Sequence, residues 1–324
     1  MESVSRFLSC DWGTSSFRLR LVDTADFSIL AEKESKEGNA STFEKWNESG
    51  RPDEERFPFY LSVISEHITA LGSGQSLGGV PLIISGMASS TIGIVELPYQ
   101  ELPFQVDGSD LKTKTFEASP EFPHEVVLIS GVKSATDVMR GEETQLVGSM
   151  IGQESEELLF IHPGTHSKHV TIHKGKAVAF RTYMTGELFS LLSKDSILAR
   201  SVIASSDFNH PDHLPSFREG VKEGLNGNLL HQLFTIRTND LFNRLSPQQN
   251  YHYLSGLLIG SELKDFPRNF KGNMIMAGED VLSALYLEAL KISGIDKQAT
   301  NLLLKNADEV TIKGQFQIFS NRRP

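Results

Sequence analysis

The chain has 324 residues, enough for two domains of ordinary size. With 39% hydrophobic and 22% charged residues it can bury the cores of a globular protein. Its net charge of −10 is spread without long blocks, which argues against nucleic acid as a main partner but not against anionic substrates held by single arginines or lysines. The single cysteine, Cys10, cannot make an internal disulfide, so a reducing, cytoplasmic setting is expected. Its place in an apolar run reads as a packed small residue, not a nucleophile. Met1 to Arg6 is polar and lacks a signal-peptide core. No stretch approaches about 18 apolar residues, so no transmembrane helix is expected.

Arg6 to Cys10 is a short apolar segment ahead of Asp11. Phe17 to Val22 alternates, with Phe17, Leu19 and Leu21 set against Arg18 and Arg20. The two segments predict a β-hairpin with a Gly-Thr-Ser turn at its tip. Residues 38–58 are polar and read as an irregular insertion. Leu61, Ile64, Ile68 and Leu71 give Phe59 to Leu71 helical spacing. Gly72–Gly79 reads as a loop, Val80 to Ser85 as a buried strand, and the proline-containing stretch 98–125 as loop with short strands.

Val126 to Ile129 predicts another strand, leading to Met139-Arg140-Gly141-Glu142-Glu143-Thr144-Gln145. Paired acids at the head of an apolar stretch suit a helix N-terminus. Leu158 to Ile161 and His169 to Ile172 predict strands around His162-Pro163-Gly164-Thr165-His166-Ser167-Lys168, with a turn at Lys174-Gly175-Lys176. This is a second Gly-Thr hairpin about 150 residues after the first, a pseudo-repeat that suggests two related lobes. Beyond Thr185, helices are expected at Gly186–Ser193, Phe217–Asn226, Leu229–Leu233 and Gln249–Leu263. A strand at Asn273–Ala277 and a helix at Val281–Ile292 follow, and Glu309–Lys313 reads as a strand.

A tight turn of Gly13, Thr14, Ser15 and Ser16 offers backbone N–H groups and hydroxyls to phosphate oxygens. Asp11, at the strand end, suits Mg²⁺, which favours carboxylates and keeps several waters. In the second turn Pro163 stands where an acid would, and Lys168 is either a phosphate ligand or a solvated hairpin lysine. The spacing of His162, His166 and His169 is not that of a zinc site. Arg140 to Gln145 combines a potential base, Glu142 or Glu143, with an arginine that can grip a carboxylate. The residues alone fit an ordinary capped helix at least as well. Arg181 to Glu187 is rich in groups for anions and hydroxyls, although Thr185 also reads as an N-cap. Gly278-Glu279 lies between strand and helix, where an open α/β sheet holds a nucleotide, and an ordinary strand-to-helix turn fits the pattern equally well.

Five segments, taken together, resemble a known family: Asp11–Arg18, Met139–Gly148, Pro163–Lys168, Phe180–Leu188 and Leu254–Glu262. In order, they are similar to signatures of the 2-dehydro-3-deoxygalactonokinases, sugar-acid kinases of the actin/hexokinase superfamily. The resemblance runs from residue 7 to roughly 295. It implies an α/β, ribonuclease-H-like fold of two lobes with ATP and Mg²⁺ in the interlobe cleft. The lobes would be residues 1–150, with the first turn and the acids, and 151–324, with the second turn and an adenosine-side strand-turn-helix.

The resemblance also implies phosphorylation of 2-dehydro-3-deoxy-D-galactonate at its 6-hydroxyl, in D-galactonate breakdown. Its partners are then small molecules, the sugar acid and ATP; the oligomeric state stays open, a homo-oligomer included. Site residues follow by position. Glu142 is the leading base with Glu143 beside it. Arg140, Arg181, Thr185 and Glu187 are for the sugar acid. Gly13, Thr14, Ser15, Ser16, Gly164, Thr165, His166 and Lys168 are for phosphate, Gly278 and Glu279 for nucleotide, and Asp11 for the metal. Family members end in a helix with an Ala-Gly pair, which Gly314–Ser320 lacks. Two rivals remain: a kinase for a related acid such as 2-dehydro-3-deoxygluconate, and an ATP-hydrolysing switch protein on the same fold.

Overall fold

The alternating apolar residues of the first hairpin set β1 (Arg6–Trp12) and β2 (Phe17–Asp23) antiparallel in a computed structural model that describes residues 4–72, 77–153, 156–208, 210–267 and 270–322. The chain continues through β3 (Ile29–Ser35), α1 (Asn39–Glu48), α2 (Arg56–Leu71) and β4 (Leu82–Gly86). Short strands follow: β5 (Gln100–Glu101), β6 (Phe104–Gln105) and β7 (Thr113–Phe116). Then come β8 (Val126–Ile129), β9 (Val132–Lys133), β10 (Val138–Met139) and α3 (Glu142–Met150). The main sheet here has the order β3-β2-β1-β4-β8-β7. Within it β1, β4 and β8 run parallel, so their carboxyl ends share one edge. Trp12, Phe17, Tyr60, Ile64, Leu82, Ile84 and Leu128 form the core that holds the edge in place.

The second half begins with β11 (Glu157–His162), β12 (Ser167–His173) and β13 (Lys176–Tyr183). Four helices come next: α4 (Thr185–Lys194), α5 (His213–Asn226), α6 (Leu229–Leu241) and α7 (Pro247–Leu263). The chain closes with β14 (Asn273–Gly278), α8 (Asp280–Ser293), β15 (Leu302–Asn306) and α9 (Ala307–Ser320). Along the sheet, β15-β14-β11-β12-β13 repeats the sequential order of β8-β4-β1-β2-β3. β11, β14 and β15 are parallel, as β1, β4 and β8 are. The α/β expectation is borne out, and the two Gly-Thr hairpins occupy equivalent places in the two sheets.

Two compact units result. The first comprises Met1–Glu154, Ile172–Phe180 and Ala307–Pro324; the second comprises Ser155–Thr171 and Arg181–Asn306. In the first unit Lys176 and Ala177 of β13 pair with Gln105 and Phe104 of β6. α9 joins the same unit, where Asp308 ion-pairs with buried Arg20 at 3.0 Å. Gln315, also buried, donates from Nε2 to the Cys10 carbonyl and to Ser85 Oγ, each at 2.9 Å.

Two expectations need correction. Residues 38–58 contain α1 and the start of α2 rather than an irregular insertion. α1 buries only Asn39, Thr42 and Trp46, so its sequence carries little apolar periodicity. Glu309–Lys313 is helix, not strand. Its run of three β-branched residues mimics a strand, but Val310, Thr311 and Ile312 are all buried, and Thr311 Oγ1 donates to the Ala307 carbonyl at 2.8 Å. The chain thus ends in a helix without an Ala-Gly pair, and Gly314 serves its close contact with α3. Of the expected loop Gly72–Gly79, residues 73–76 lie outside the described residues.

Candidate active site

At the shared edge of the first unit, β1 delivers Asp11 opposite Ser85 of β4, and Trp12 opposite Gly86. Gly86 has φ of +90°, and a Cβ there would lie 2.7 Å from the Trp12 carbonyl oxygen. Gly141, with φ of +109°, packs over Gly86, so no side chain separates the head of α3 from β4. Glu142 is thereby brought near Asp11. Burial raises the Asp11 carboxyl above its usual range; Arg18 and Arg20 oppose this, and Asp308 and Glu142 add to it.

The turn after β1 is gripped from one side. The carbonyls of Trp12, Gly13 and Thr14 accept from Asn39 Nδ2 (2.9 Å), Asn39 N (2.9 Å) and Ala40 N (3.0 Å). A Cβ on Gly38 would sit 2.3 Å from the Thr14 carbonyl oxygen, so only glycine lets α1 begin this close. Thr14 and Ser15 remain exposed, with Gly13 and Ser16 half-buried.

The paired acids of α3 have different surroundings. Half-buried Glu142 accepts from the Arg140 N–H through Oε2 at 2.9 Å. Glu143 is fully buried; both its oxygens accept from the Gly141 N–H, at 3.0 and 2.8 Å, and Oε1 accepts from Thr144 Oγ1 at 3.1 Å. Arg140 donates from Nη1 to Ser89 O (2.5 Å) and Ser89 Oγ (2.6 Å), and its guanidinium lies 4.3 Å from the Tyr99 ring centroid. The ring contact and the Ser89 bonds together restrain the guanidinium.

Glu143 gives a pH prediction. Burial, reinforced by Glu142, pushes its carboxyl up to about 8. A carboxyl that holds its proton more tightly in the folded state stabilises the fold below its ordinary value of 4.5. That contribution is lost as pH rises toward 8. Urea unfolding between these limits should therefore show stability declining with pH, and Glu143→Gln should flatten the decline. Matching slopes for the two proteins would mean that Glu143 is ionised at neutral pH.

The second unit repeats the arrangement. The carboxyl ends of β11 and β14 lie side by side, with His162 Nδ1 2.9 Å from the Ala277 carbonyl oxygen and Gly278 packed near Pro163. The turn after β11 meets the start of α4 as the first turn meets α1. A Cβ on Gly186 would lie 2.6 Å from the Gly164 carbonyl oxygen, and the Glu187 N–H donates to Thr165 O at 3.0 Å. His166 Nε2 lies 2.5 Å from Glu187 Oε2. Lys168 is buried and donates to the His166 carbonyl at 2.8 Å, which removes the solvated-lysine reading. Glu279 is exposed at the N-cap position of α8.

Thr185 is the first residue of α4 rather than its N-cap, and its hydroxyl donates to Glu262. Arg181 is exposed and pairs with Asp265 at 3.3 Å. His169 Nε2 lies 2.8 Å from Glu262 Oε1, so His162, His166 and His169 face three different partners.

The structure therefore gathers Asp11, Gly13–Ser16, Arg140, Glu142 and Glu143 within the first unit. Gly164–Lys168, Thr185, Glu187, Gly278 and Glu279 are gathered in the second. Asn39, Ser89, Tyr99, Asp308, Glu262 and Tyr286 were not anticipated. Only Glu262 left a trace in the sequence, as the one acid in the apolar run Leu254–Leu263.

Residues 11–318 match the protein family described as 2-keto-3-deoxy-galactonokinase. The chain belongs to that family. This 2-keto-3-deoxy-galactonokinase family member is 28% identical over 322 residues to a probable 2-dehydro-3-deoxygalactonokinase of Rhizobium meliloti (strain 1021), covering 97% of this chain and 96% of that protein. It is 29% identical over 305 residues to the 2-dehydro-3-deoxygalactonokinase of Escherichia coli (strain K12), covering 91% and 92%. A crystal structure of a protein assigned as 2-dehydro-3-deoxygalactonokinase from Sinorhizobium meliloti superposes with a TM-score of 0.78 at 27% identity, over 98% of this chain and 97% of that one. Among the described residues no helix of the family member is long and apolar enough to cross a membrane.

Proposed function

We propose that this family member transfers the γ-phosphoryl group of ATP to the 6-hydroxyl of 2-dehydro-3-deoxy-D-galactonate. The observation that carries the reading is the head of α3, where Gly141 packs on Gly86 at the end of β4, so that half-buried Glu142 starts the helix beside the strand end that bears Asp11, with Arg140 over the Tyr99 ring. Glu142 takes the proton of the 6-hydroxyl as that oxygen bonds to the γ-phosphorus. The bond from the γ-phosphorus to its bridging oxygen breaks, and ADP leaves. Fully buried Glu143 holds the Gly141 N–H and so keeps Glu142 at the helix head.

Arg140 takes the carboxylate of the sugar acid, a task for which a guanidinium already held by Ser89 and Tyr99 loses little freedom on binding. Arg181, Thr185 and Glu187 are the second unit's candidates for substrate binding. Thr185 takes part as an acceptor, since its proton is committed to Glu262. Gly13–Ser16 and Gly164–Lys168 take phosphate oxygens, and Gly278 and Glu279 take the nucleoside side.

No group of three or more His, Cys, Asp or Glu side chains among the described residues is placed to chelate a metal. Mg²⁺ in phosphoryl transfer does not need one, because one or two carboxylates join phosphate oxygens and waters around it. Asp11, a partly buried carboxylate whose charged form burial disfavours, fits that role. Mg²⁺ bound there would neutralise charge on the phosphates.

The test is ATP consumption across a panel of keto-deoxy sugar acids. The expected result is turnover with 2-dehydro-3-deoxy-D-galactonate and little without an acceptor. Hydrolysis independent of any acid would sink the kinase reading, and turnover only with 2-dehydro-3-deoxygluconate would change the substrate.

A further inference from the structure

We infer that Glu262 is a positioning residue for the second phosphate turn, because one buried carboxylate is bonded to the flank of Gly164–Lys168, to the head of α4 and to α8. The inference rests on reading that turn as phosphate-binding. Glu262 is on α7, remote in sequence from the turn, and its side chain is 1% exposed. Oε1 lies 2.8 Å from His169 Nε2 on β12. Oε2 accepts from Thr185 Oγ1 at the head of α4 and from the Tyr286 hydroxyl of α8 at 2.6 Å.

The tyrosine extends the chain back to the turn. Its proton is committed to Glu262, so Ser167 Oγ donates to the Tyr286 oxygen across 2.7 Å. Ser167 Oγ in turn accepts from the Gly164 N–H at 3.4 Å. Gly164 N–H, Ser167, Tyr286 and Glu262 thus form one directed series, and each bond polarises the next. Burial and the adjacent Glu262 push the Tyr286 hydroxyl well above its usual range, which keeps it a donor. An isolated carboxylate in a core is costly, and an apolar side chain of similar volume would serve packing alone. A carboxylate whose donors all border one turn and one helix head sets their geometry.

The test measures ADP affinity by calorimetry, with the thermal midpoint and the KM for the sugar acid measured alongside. Glu262→Ala should weaken ADP binding by about tenfold or more, as expected for a displaced ligand cradle. Glu262→Gln keeps acceptor and size, since His169 can change tautomer to meet an amide, and should hold ADP affinity within about threefold of the parent. Tyr286→Phe removes one hydroxyl and keeps the ring. It should weaken ADP binding several-fold while the sugar-acid KM stays within about twofold of the parent and the midpoint falls by only a few degrees, the cost of one buried hydrogen bond, and it carries the test if Glu262→Ala does not fold.

Unchanged ADP affinity in Tyr286→Phe would overturn the inference. So would losses of ADP and sugar-acid affinity in equal proportion with a falling midpoint, since that pattern is structural. ADP titration does not depend on the acceptor. A parent protein that binds ADP yet phosphorylates no keto-deoxy acid would refute the proposed substrate and leave the role of Glu262 standing.

Discussion

Glu142→Gln should lower kcat by about 10²–10⁴-fold, the usual contribution of a positioned general base, equivalent to about 3–5 kcal/mol of barrier. The substitution keeps shape, and the amide oxygen can still accept from the Arg140 N–H that now meets Oε2. Two effects compete. Removing the charge eliminates the base, but it also relieves repulsion on Asp11 and Glu143, both of which Glu142 pushes up. The relief should appear as unchanged or slightly higher thermal stability and as ADP affinity within about threefold of the parent. The loss should therefore be confined to kcat. Near-normal turnover in the variant would take the base role from Glu142.

Gly314→Ala and Gly148→Ala should each destabilise the first unit, by about 2–4 kcal/mol, although alanine favours a helix over glycine by about 1 kcal/mol. The reason is a reciprocal crossing of α3 and α9. A Cβ on Gly148 would lie 1.9 Å from the Val310 carbonyl oxygen, and one on Gly314 would lie 1.9 Å from the Thr144 carbonyl oxygen. Both obstacles are helix backbone, so neither can rotate away. The helices must separate, and a gap of even about 1 Å forfeits a large part of the dispersion contacts along the seam. Buried Val147, Val310 and Ile318 lie along these helices. Urea denaturation of the single variants measures the loss. A Gly314→Ala protein as stable as the parent would mean that α9 does not dock on α3 as described. Because α3 carries Glu142 at its head, a variant that survives should also turn over more slowly.

The parallel strands β4, β8, β11 and β14 were legible because strands buried on both faces need unbroken apolar runs, such as Val126–Ile129 and Leu158–Ile161. The hairpins were legible from alternation and from Gly in their turns. β3 was missed because it is an edge strand of exposed and half-exposed residues, several of them charged. β15, likewise at the end of its sheet, has no fully buried residue. α9 was misread because packing against α3 and β4 overrides the strand preference of Val310, Thr311 and Ile312.

The same division holds at the candidate site. Asp11–Ser16, Arg140–Glu143 and Gly164–Lys168 are contiguous, so their chemistry could be read locally. Asn39, Asp308 and Tyr286 reach their respective turns and strand ends only through tertiary contacts, and Glu262 stands out only as a lone acid in an apolar run. Nor could the sequence divide Glu142 from Glu143. That distinction comes from burial, which encloses the second acid and leaves the first in reach.

The return of α9 to the first unit sets an order of events during synthesis. All of Ser155–Thr171 and Arg181–Asn306 leaves the ribosome before Ala307–Pro324, so the second unit is complete in sequence while the first still lacks a helix. Domains commonly fold from the N-terminus onward, and here the order is inverted. Until Gln315 arrives, the Cys10 carbonyl and the Ser85 hydroxyl lack the amide that joins them, and the glycine face of α3 is uncovered. A chain cut after residue 306 and released would carry the whole sequence of the second unit and a first unit without α9, open to chaperones and proteases.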